Sequence, residues 1–249
     1  MQPLSTATGW ARQAERILVI TGAGLSADSG LPTYRGVGGL YEDAHTADGV
    51  PIEVALSGRM LRTRPEVCWR HIAQIERACR GATFNAAHVA LVDLEQHAQV
   101  VIVTQNVDGF HVDAGSSRVI EVHGTLRNLH CVGCRRTEIR RDFTGMSVPP
   151  LCEVCGALVR PDVVLFGESL PSKAMYAWGD ELRKGFDLVM TVGTSSGFQY
   201  IAEPVIEARR RGTPTIEINP GHTSVSDVVV LHWKERAAVA LPALIEALG

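Results

Sequence analysis

Short apolar runs rich in branched residues recur along the chain: RILVI at 16–20, QVVIVT at 99–104, VIEV at 119–122, DLVMTV at 187–192 and TPTIEI at 213–218. Each is too short for a helix and is closely followed by Gly, Asn or Pro, so each reads as a buried strand leaving a sheet. Between them lie helical patterns, notably at 65–79, 85–97, 172–184 and 202–211. Strands that alternate with helices predict an α/β fold, a Rossmann-like doubly wound parallel sheet whose ligand lies at the carboxyl ends of the strands.

Two stretches break the alternation. Residues 33–82 begin rich in Gly and Pro, and residues 124–162 hold four paired cysteines. Both read as insertions that form a smaller lobe, with 1–32, 83–123 and 163–249 making the sheet-bearing lobe. A cleft between two lobes is the natural place for a substrate.

Composition adds exclusions. Of the 249 residues 45% are hydrophobic and 20% charged, which suits a chain able to bury a sizeable core, and the formal charge of −3 gives no basic field for nucleic acid. The run Arg209 to Arg211 sits in a helical pattern and reads as a solvated face. No segment approaches ~20 uninterrupted apolar residues, and the first residues carry neither a signal-peptide core nor a good transit pattern. No membrane partner is expected, and the expected location is cytoplasmic.

Four of the six cysteines form C-x-x-C pairs, Cys131 with Cys134 and Cys152 with Cys155. Two turn-like knuckles carrying four thiolates match what tetrahedral zinc favours, and in a reducing compartment such pairs point to metal. A closed four-sulfur shell leaves no position for water, so one structural zinc is expected to hold the small lobe together; a redox dithiol is the alternative. His130 is adjacent but the four cysteines complete the shell. Cys68 and Cys79 read as small buried hydrophobes.

After the first strand, residues 22–27 fit G-x-G-x-x-A at the opening of a helix, a turn in which backbone N–H groups can approach a pyrophosphate. On its own this is also a plain glycine turn. The acidic residue that ordinarily ends a second strand ~20 residues on is missing, because Glu42 and Asp43 fall in a loop. The longer string GAGLSADSGLPTYRG at 22–36 resembles the cofactor loop of the sirtuin family, GAG-x-S-x-x-SG-I-P-x-F-R. Further matching segments follow in family order: TQNVDGFHVDAG at 104–115, VHGTL at 122–126, the cysteine pairs, RPDVVLFGE at 160–168, GTSSGFQY at 193–200 and EINPG at 217–221. The resemblance covers nearly the whole chain.

It implies an enzyme that uses NAD to remove acyl groups from lysine in protein or peptide substrates, giving nicotinamide, O-acyl-ADP-ribose and free lysine. By resemblance His123 is the general base; a histidine titrating near neutrality suits that task, although position alone also allows a histidine that caps a turn. Asn106 would orient the ribose and a water, and Asp108 would hold the nicotinamide carboxamide. Gln105 would contact the ribose. Gly22, Ala23, Gly24, Ser26 and Ala27 form the cofactor turn, Arg35 would meet a phosphate, and Tyr34, where the family more often has Phe, would cover the reacting centre. Gly193, Thr194, Ser195 and Asn219 would bind phosphate and adenosine ribose, and the backbone of Ala237 would meet adenine. Val164, Phe166, Gly167 and Glu168, together with Ser196 and Gly197, resemble the two segments between which substrates add a strand, while Val163 and Leu165 read as core.

Family members that remove succinyl and malonyl groups carry Tyr-x-x-Arg on the helix after the cofactor loop. Anchored on Pro65 and Glu66, those positions hold Ile72 and Ile75, which favours small apolar acyl groups, because a buried carboxylate without a partner is costly. Arg70 and His71 lie beside them and would reverse the expectation under a shifted register. Desuccinylation, NAD hydrolysis, ADP-ribosylation and a silent NAD sensor remain the alternatives.

Overall fold

The computed structural model describes residues 2–33, 46 and 48–249. Helix α1 (Gln2–Gln13) leads into strand β1 (Arg16–Thr21) and the short helix α2 (Ala23–Ser26). Helices α3 (Ile52–Ala55), α4 (Gly58–Thr63), α5 (Pro65–Cys79) and α6 (Ala86–Leu94) follow, then β2 (Gln99–Thr104), α7 (Phe110–Ala114) and β3 (Val119–Glu121). Next come β4 (Gly124–Cys131), β5 (Thr137–Ile139) and β6 (Val159–Val163), then α8 (Ser172–Lys184), β7 (Leu188–Val192), α9 (Gln199–Arg210), β8 (Thr215–Ile218), β9 (Leu231–Trp233) and α10 (Ala237–Leu248). Among the described residues no helix is long and apolar enough to cross a membrane.

The large sheet has the order β3-β2-β1-β7-β8-β9 and every pairing in it is parallel. Side chains alternate across each strand, and here both faces are covered. Ile17 and Val19 of β1 pack into a layer with α1, α6 and α10, while Leu18 and Ile20 pack against Trp178 of α8 and Ile201 and Val205 of α9. Burial on both faces is why β1 reads as a continuous apolar run. From β1 the chain travels outward to β2 and β3, and from β7 outward the other way, so the order reverses between β1 and β7. Such a reversal opens a crevice at the carboxyl ends of the two strands.

The small sheet, β5-β4-β6, is antiparallel. It packs on helix α5, which begins on Pro65 at a first-turn position where the ring's fixed φ suits a helix. Trp69 of α5 is fully buried, tilts against Phe143 with centroids 5.6 Å apart, and donates its indole N–H to the Val159 carbonyl at 3.0 Å. Ile72, Leu126, Leu129 and Leu165 complete this second core. Val163 pairs with Gly124 in the small sheet, so residues 163–165 pack with this unit.

Helix α6 is shorter than its periodicity predicts: it stops at Leu94, and Asn85 is its N-cap, accepting from the Ala87 N–H at 2.9 Å. Helix α9 starts earlier, at Gln199. Helices α1 and α10 and strand β9 carry no clear periodic signal. In α10 the sequence AAVALPALIEAL is apolar nearly all round, and β9 has only 3 residues.

Replacing Trp69 by Ala removes a full aromatic side chain and one buried hydrogen bond, and should cost about 3–5 kcal/mol of stability. The measurement is the urea midpoint of the purified chain.

Candidate active site

At the crevice the turn after β1 and the turn after β7 touch backbone to backbone. The Gly24 N–H donates to the Gly193 carbonyl at 2.8 Å, and the Gly22 N–H to the Val192 carbonyl at 3.2 Å. A Cβ on Gly24 would lie 2.8 Å from the Gly193 oxygen, and one on Gly193, whose φ is +59°, would lie 2.3 Å from the Leu25 nitrogen. The glycines are therefore required by the contact of two loops. The reason inferred from sequence, approach of backbone N–H groups to a pyrophosphate, does not apply to Gly24, whose N–H is already spent.

From these turns a polar network spreads. Asn106 is buried and donates from Nδ2 to the Gly22 carbonyl at 3.0 Å and to Ser26 Oγ at 3.2 Å. Ser26 in turn donates to Asp108 Oδ2 at 2.8 Å, and the Phe110 N–H donates to Asp108 Oδ1 at 3.0 Å. Burial raises the Asp108 carboxyl above its usual range against these two donors. Gln105 Nε2 donates to Thr194 Oγ1 at 2.8 Å, and Asn219 Nδ2 to the Thr194 carbonyl at 3.2 Å, so the turn after β7 is held from both sides. Ser195 is exposed beside it, and Ala237 is the buried first residue of α10. Arg236 joins Asp28, just after Ala27, at 2.7 Å.

A cavity lies over this network, lined by Ala23, Ser26, Leu31 and Pro32 from the first turn, Asn106 to Asp108, and Ile75, Ala78 and Cys79 of α5. Ile75 thus borders the cavity, while Ile72 lies in the small core. Burial pushes the Cys79 thiol up to about 12, so it is an inert wall. Tyr34 and Arg35, with Glu42 and Asp43, lie outside the described residues.

His123 sits between β3 and β4, where the chain passes from the large sheet to the small one. Its carbonyl accepts from the Val164 N–H at 2.9 Å, and its Nδ1–H donates to the Gln105 carbonyl at 3.0 Å, which leaves Nε2 as the acceptor. Desolvation lowers its pKa below the ordinary histidine value, with the Gln105 bond acting the other way. Gly124, at φ +72°, makes the turn possible, since a Cβ there would lie 1.6 Å from the Asp162 carbonyl oxygen.

The sulfurs of Cys131, Cys134, Cys152 and Cys155 lie within 4.8 Å of one another, with Cys131 to Cys155 at 3.4 Å and Cys134 to Cys152 at 3.7 Å. A disulfide needs about 2.05 Å, whereas four sulfurs about 2.3 Å from one zinc stand roughly 3.8 Å apart. N–H groups of Cys134 and Gly133 point at Cys131 Sγ, each at 3.4 Å, and hold that thiol down to about 6. The arrangement fits one structural zinc. His130 turns away, hydrogen-bonded through Nδ1 to Asp162.

Comparison with known proteins agrees with this geometry. The profile of the Sir2 family matches residues 22–199. The chain belongs to the Sir2 family. Among relatives, NAD-dependent protein deacylase 2 of Pseudomonas aeruginosa is 48% identical over 98% of this chain and 96% of its own. NAD-dependent protein deacylase 2 of Pseudomonas syringae pv. tomato is 49% identical over 94% of this chain and 96% of its own. A solved Sir2 homolog–NAD complex superposes with a TM-score of 0.86 at 31% identity, covering 98% of this chain and 93% of that one. A Sir2–p53 peptide–NAD complex gives 0.83 at 27% identity, covering 98% and 97%.

Within this Sir2 site some matched positions do structural work. Glu168 carries a bidentate ion pair with Arg160, at 2.6 and 2.9 Å, and accepts from the Leu165 N–H at 3.0 Å, so it shapes the turn after Phe166. Phe166 and Gly167 are exposed. Phe166 is also tied through its backbone to Leu56 and Gly58. The Ser196 side chain is buried, at φ +52°, and Gly197 is exposed beside it. Sequence reasoning missed Arg127, which donates to the Asp108 carbonyl at 3.0 Å and pairs with Asp113, and Tyr200, whose hydroxyl meets His123 Nε2. Tyr200 closes the matched segment GTSSGFQY and Arg127 follows directly after VHGTL, and only these places could have drawn attention to them.

Replacing Cys152 by Ala should abolish retention of one zinc per chain, read by plasma mass spectrometry, and lower the melting midpoint. A variant that keeps its zinc removes Cys152 from the ligand set.

Proposed function

We propose that the chain is an NAD-dependent protein-lysine deacylase acting on short apolar acyl groups. The observation that carries this reading is the setting of His123, with Nδ1–H committed to the carbonyl of Gln105, the residue before the buried Asn106, and Nε2 left as proton acceptor. When bound, NAD supplies a glycosidic bond whose cleavage releases nicotinamide and leaves ADP-ribose to receive the acyl group.

In this reading Gly22, Ala23, Gly24, Ser26 and Ala27, with Gly193, Thr194, Ser195, Asn219 and Ala237, line the dinucleotide's path, and Gln105 and Asn106 orient its ribose. Asp108 holds a carboxamide in the cavity. Its second oxygen partner, Ser26, fixes the carboxylate so that little reorganisation follows binding. His123 takes a proton from a ribose hydroxyl at Nε2, and the half-buried setting limits water that would intercept the reaction.

Substrate recognition would use the segments that carry Val164, Phe166, Gly167 and Glu168 and Ser196 and Gly197, with backbone pairing at the exposed Gly167 and Gly197, since both backbone groups of Phe166 are already bound, and such pairing makes little demand on sequence. Ile75, in the wall of the carboxamide cavity, and the buried Ile72 give α5 an apolar face there, which supports apolar acyl groups. Arg70 and His71 do not offer a free cation: both are paired with Asp48, and His71 Nδ1 also meets Gln74 at 2.8 Å. Among the described residues, neither Arg70 nor His71 would then neutralise a buried succinyl carboxylate. A reducing, cytoplasmic location keeps the four thiolates available to metal.

Incubation with NAD and a panel of acyl-lysine peptides, followed by mass spectrometry, tests reaction and acyl choice together. O-acyl-ADP-ribose should form from acetyl through crotonyl peptides at least about tenfold faster than from succinyl peptide. Free ADP-ribose without peptide consumption would overturn the deacylase reading. Replacing His123 by Ala should lower kcat by roughly 10²–10⁴ while the melting curve stays cooperative. Because burial lowers the His123 pKa and the base works only when neutral, kcat/KM should hold as pH falls past about 6.5 and drop only at lower pH. A limb centred above that value contradicts the assignment.

A further inference from the structure

The one acceptor atom that the functional reading needs on His123 already has a partner. With Nδ1–H bound to Gln105, Nε2 is the only lone pair the neutral ring offers, and the Tyr200 hydroxyl donates to it. The phenol is presented from a rigid place. Tyr200 is the second residue of α9, whose Ile201, Val205 and Ala208 are buried against the large sheet. Its ring stacks on Phe198 with centroids 5.5 Å apart and planes 19° apart, and Phe198 meets the His123 imidazole edge-on at 5.8 Å. Burial pushes the phenol up to about 12, so it remains a donor throughout the working range.

We propose that Tyr200 is a positioning residue that caps the base, holding the imidazole with Nε2 toward the cleft and yielding that lone pair only when a ribose hydroxyl arrives. The proposal rests on the reading of His123 as the base, since a cap on Nε2 has catalytic meaning only there. The exchange is a swap of donors: the phenol O–H leaves Nε2, the ribose O–H takes its place, and the phenol turns to water. In the free enzyme the cap also shields Nε2 from electrophiles. The hydrogen bonds balance in number, so the cost is the net worth of one intramolecular bond over its hydrated alternative, which weakens cofactor binding by about two- to tenfold.

Tyr200→Phe removes the hydroxyl and keeps the ring stack. In the NAD-free full-length chain, carbethoxylation of His123 by diethyl pyrocarbonate, followed by peptide mass spectrometry, should run about two- to tenfold faster in this variant than in the parent. NAD affinity by calorimetry should tighten by a similar factor, and KM for NAD should move more than kcat. A merely structural tyrosine would give a lower melting midpoint without either change. Equal labelling rates, or NAD binding that is unchanged or weaker, overturn the cap. Should Tyr200→Phe fail to fold, Tyr200→Leu carries the same labelling expectation. Labelling needs no catalysis, so the two readings fail separately: equal labelling with an inactive His123→Ala sinks the cap alone. Faster labelling with a fully active His123→Ala sinks the base.

Discussion

The close approach of two turns at the reversal of strand order is the constraint on which the site depends. Between β1 and β7 the backbone of Gly24 meets that of Gly193 with no room for a side chain on either. Because both turns leave parallel neighbouring strands in fixed register, their contact transmits the geometry of the large sheet to every polar group above it. Thr194 is held by Gln105 and Asn219, and Gly22 presents its carbonyl to Asn106. A crevice that other doubly wound folds leave open to a phosphate is here partly closed by the protein's own hydrogen bonds, which makes the floor of the site stiff.

Stiffness matters because the central carboxylate is expensive. Asp108 is buried, with its charged form disfavoured, and its donors come from Ser26, the Phe110 backbone and, at one remove, Arg127. Ser26 serves two partners at once, donating to Asp108 and accepting from Asn106, so the carboxylate and the amide cannot move independently. A pair coupled in this way would distinguish the two ends of the carboxamide proposed to bind there by fixed donors and acceptors instead of by flexible fit. Hydrophobic walls from Ile75 and Ala78 strengthen those interactions by excluding water.

Much of this architecture was legible before any coordinates. The strands of the large sheet declare themselves because burial on both faces makes them continuous apolar runs, and α5 and α8 because their amphipathic stretches begin and end on clear signals. The zinc cluster was legible from spacing alone. What was hidden has common physical causes. Helix α10 is apolar nearly all round in sequence, so the one face it buries does not stand out, β9 is too short to register, and the small sheet is built from turns and ladders with mixed residues. Within the site, resemblance pointed to residues but not to their bonds. Glu168 is also an internal counterion of Arg160, and the glycine turn also serves a loop-to-loop contact. Pairings of this sort depend on distances across the fold that no local pattern encodes.

His123 stands at the seam of the two units, and this joins the metal to the chemistry. The edge strand β3 of the large sheet delivers the residue, and Gly124 begins β4 at once, whose far end supplies Cys131 to the thiolate cluster. On its other side the His123 carbonyl is bound by Val164, one residue past the strand β6 that pairs with β4. The residue is therefore anchored at three points, its imidazole by Gln105 of the large sheet and by Tyr200 of α9, and its backbone carbonyl by Val164 beside the small sheet. A zinc that holds the two cysteine knuckles together would help keep β4 and β6 paired, and at their near ends that pairing sets Gly124 against Val163, directly beside His123. A closed four-sulfur shell would keep the metal out of bond making, yet loosening it would reach His123 through β4 and β6, whose pairing runs from Cys131 to Gly124 with one shift of register between Thr125 and Leu129.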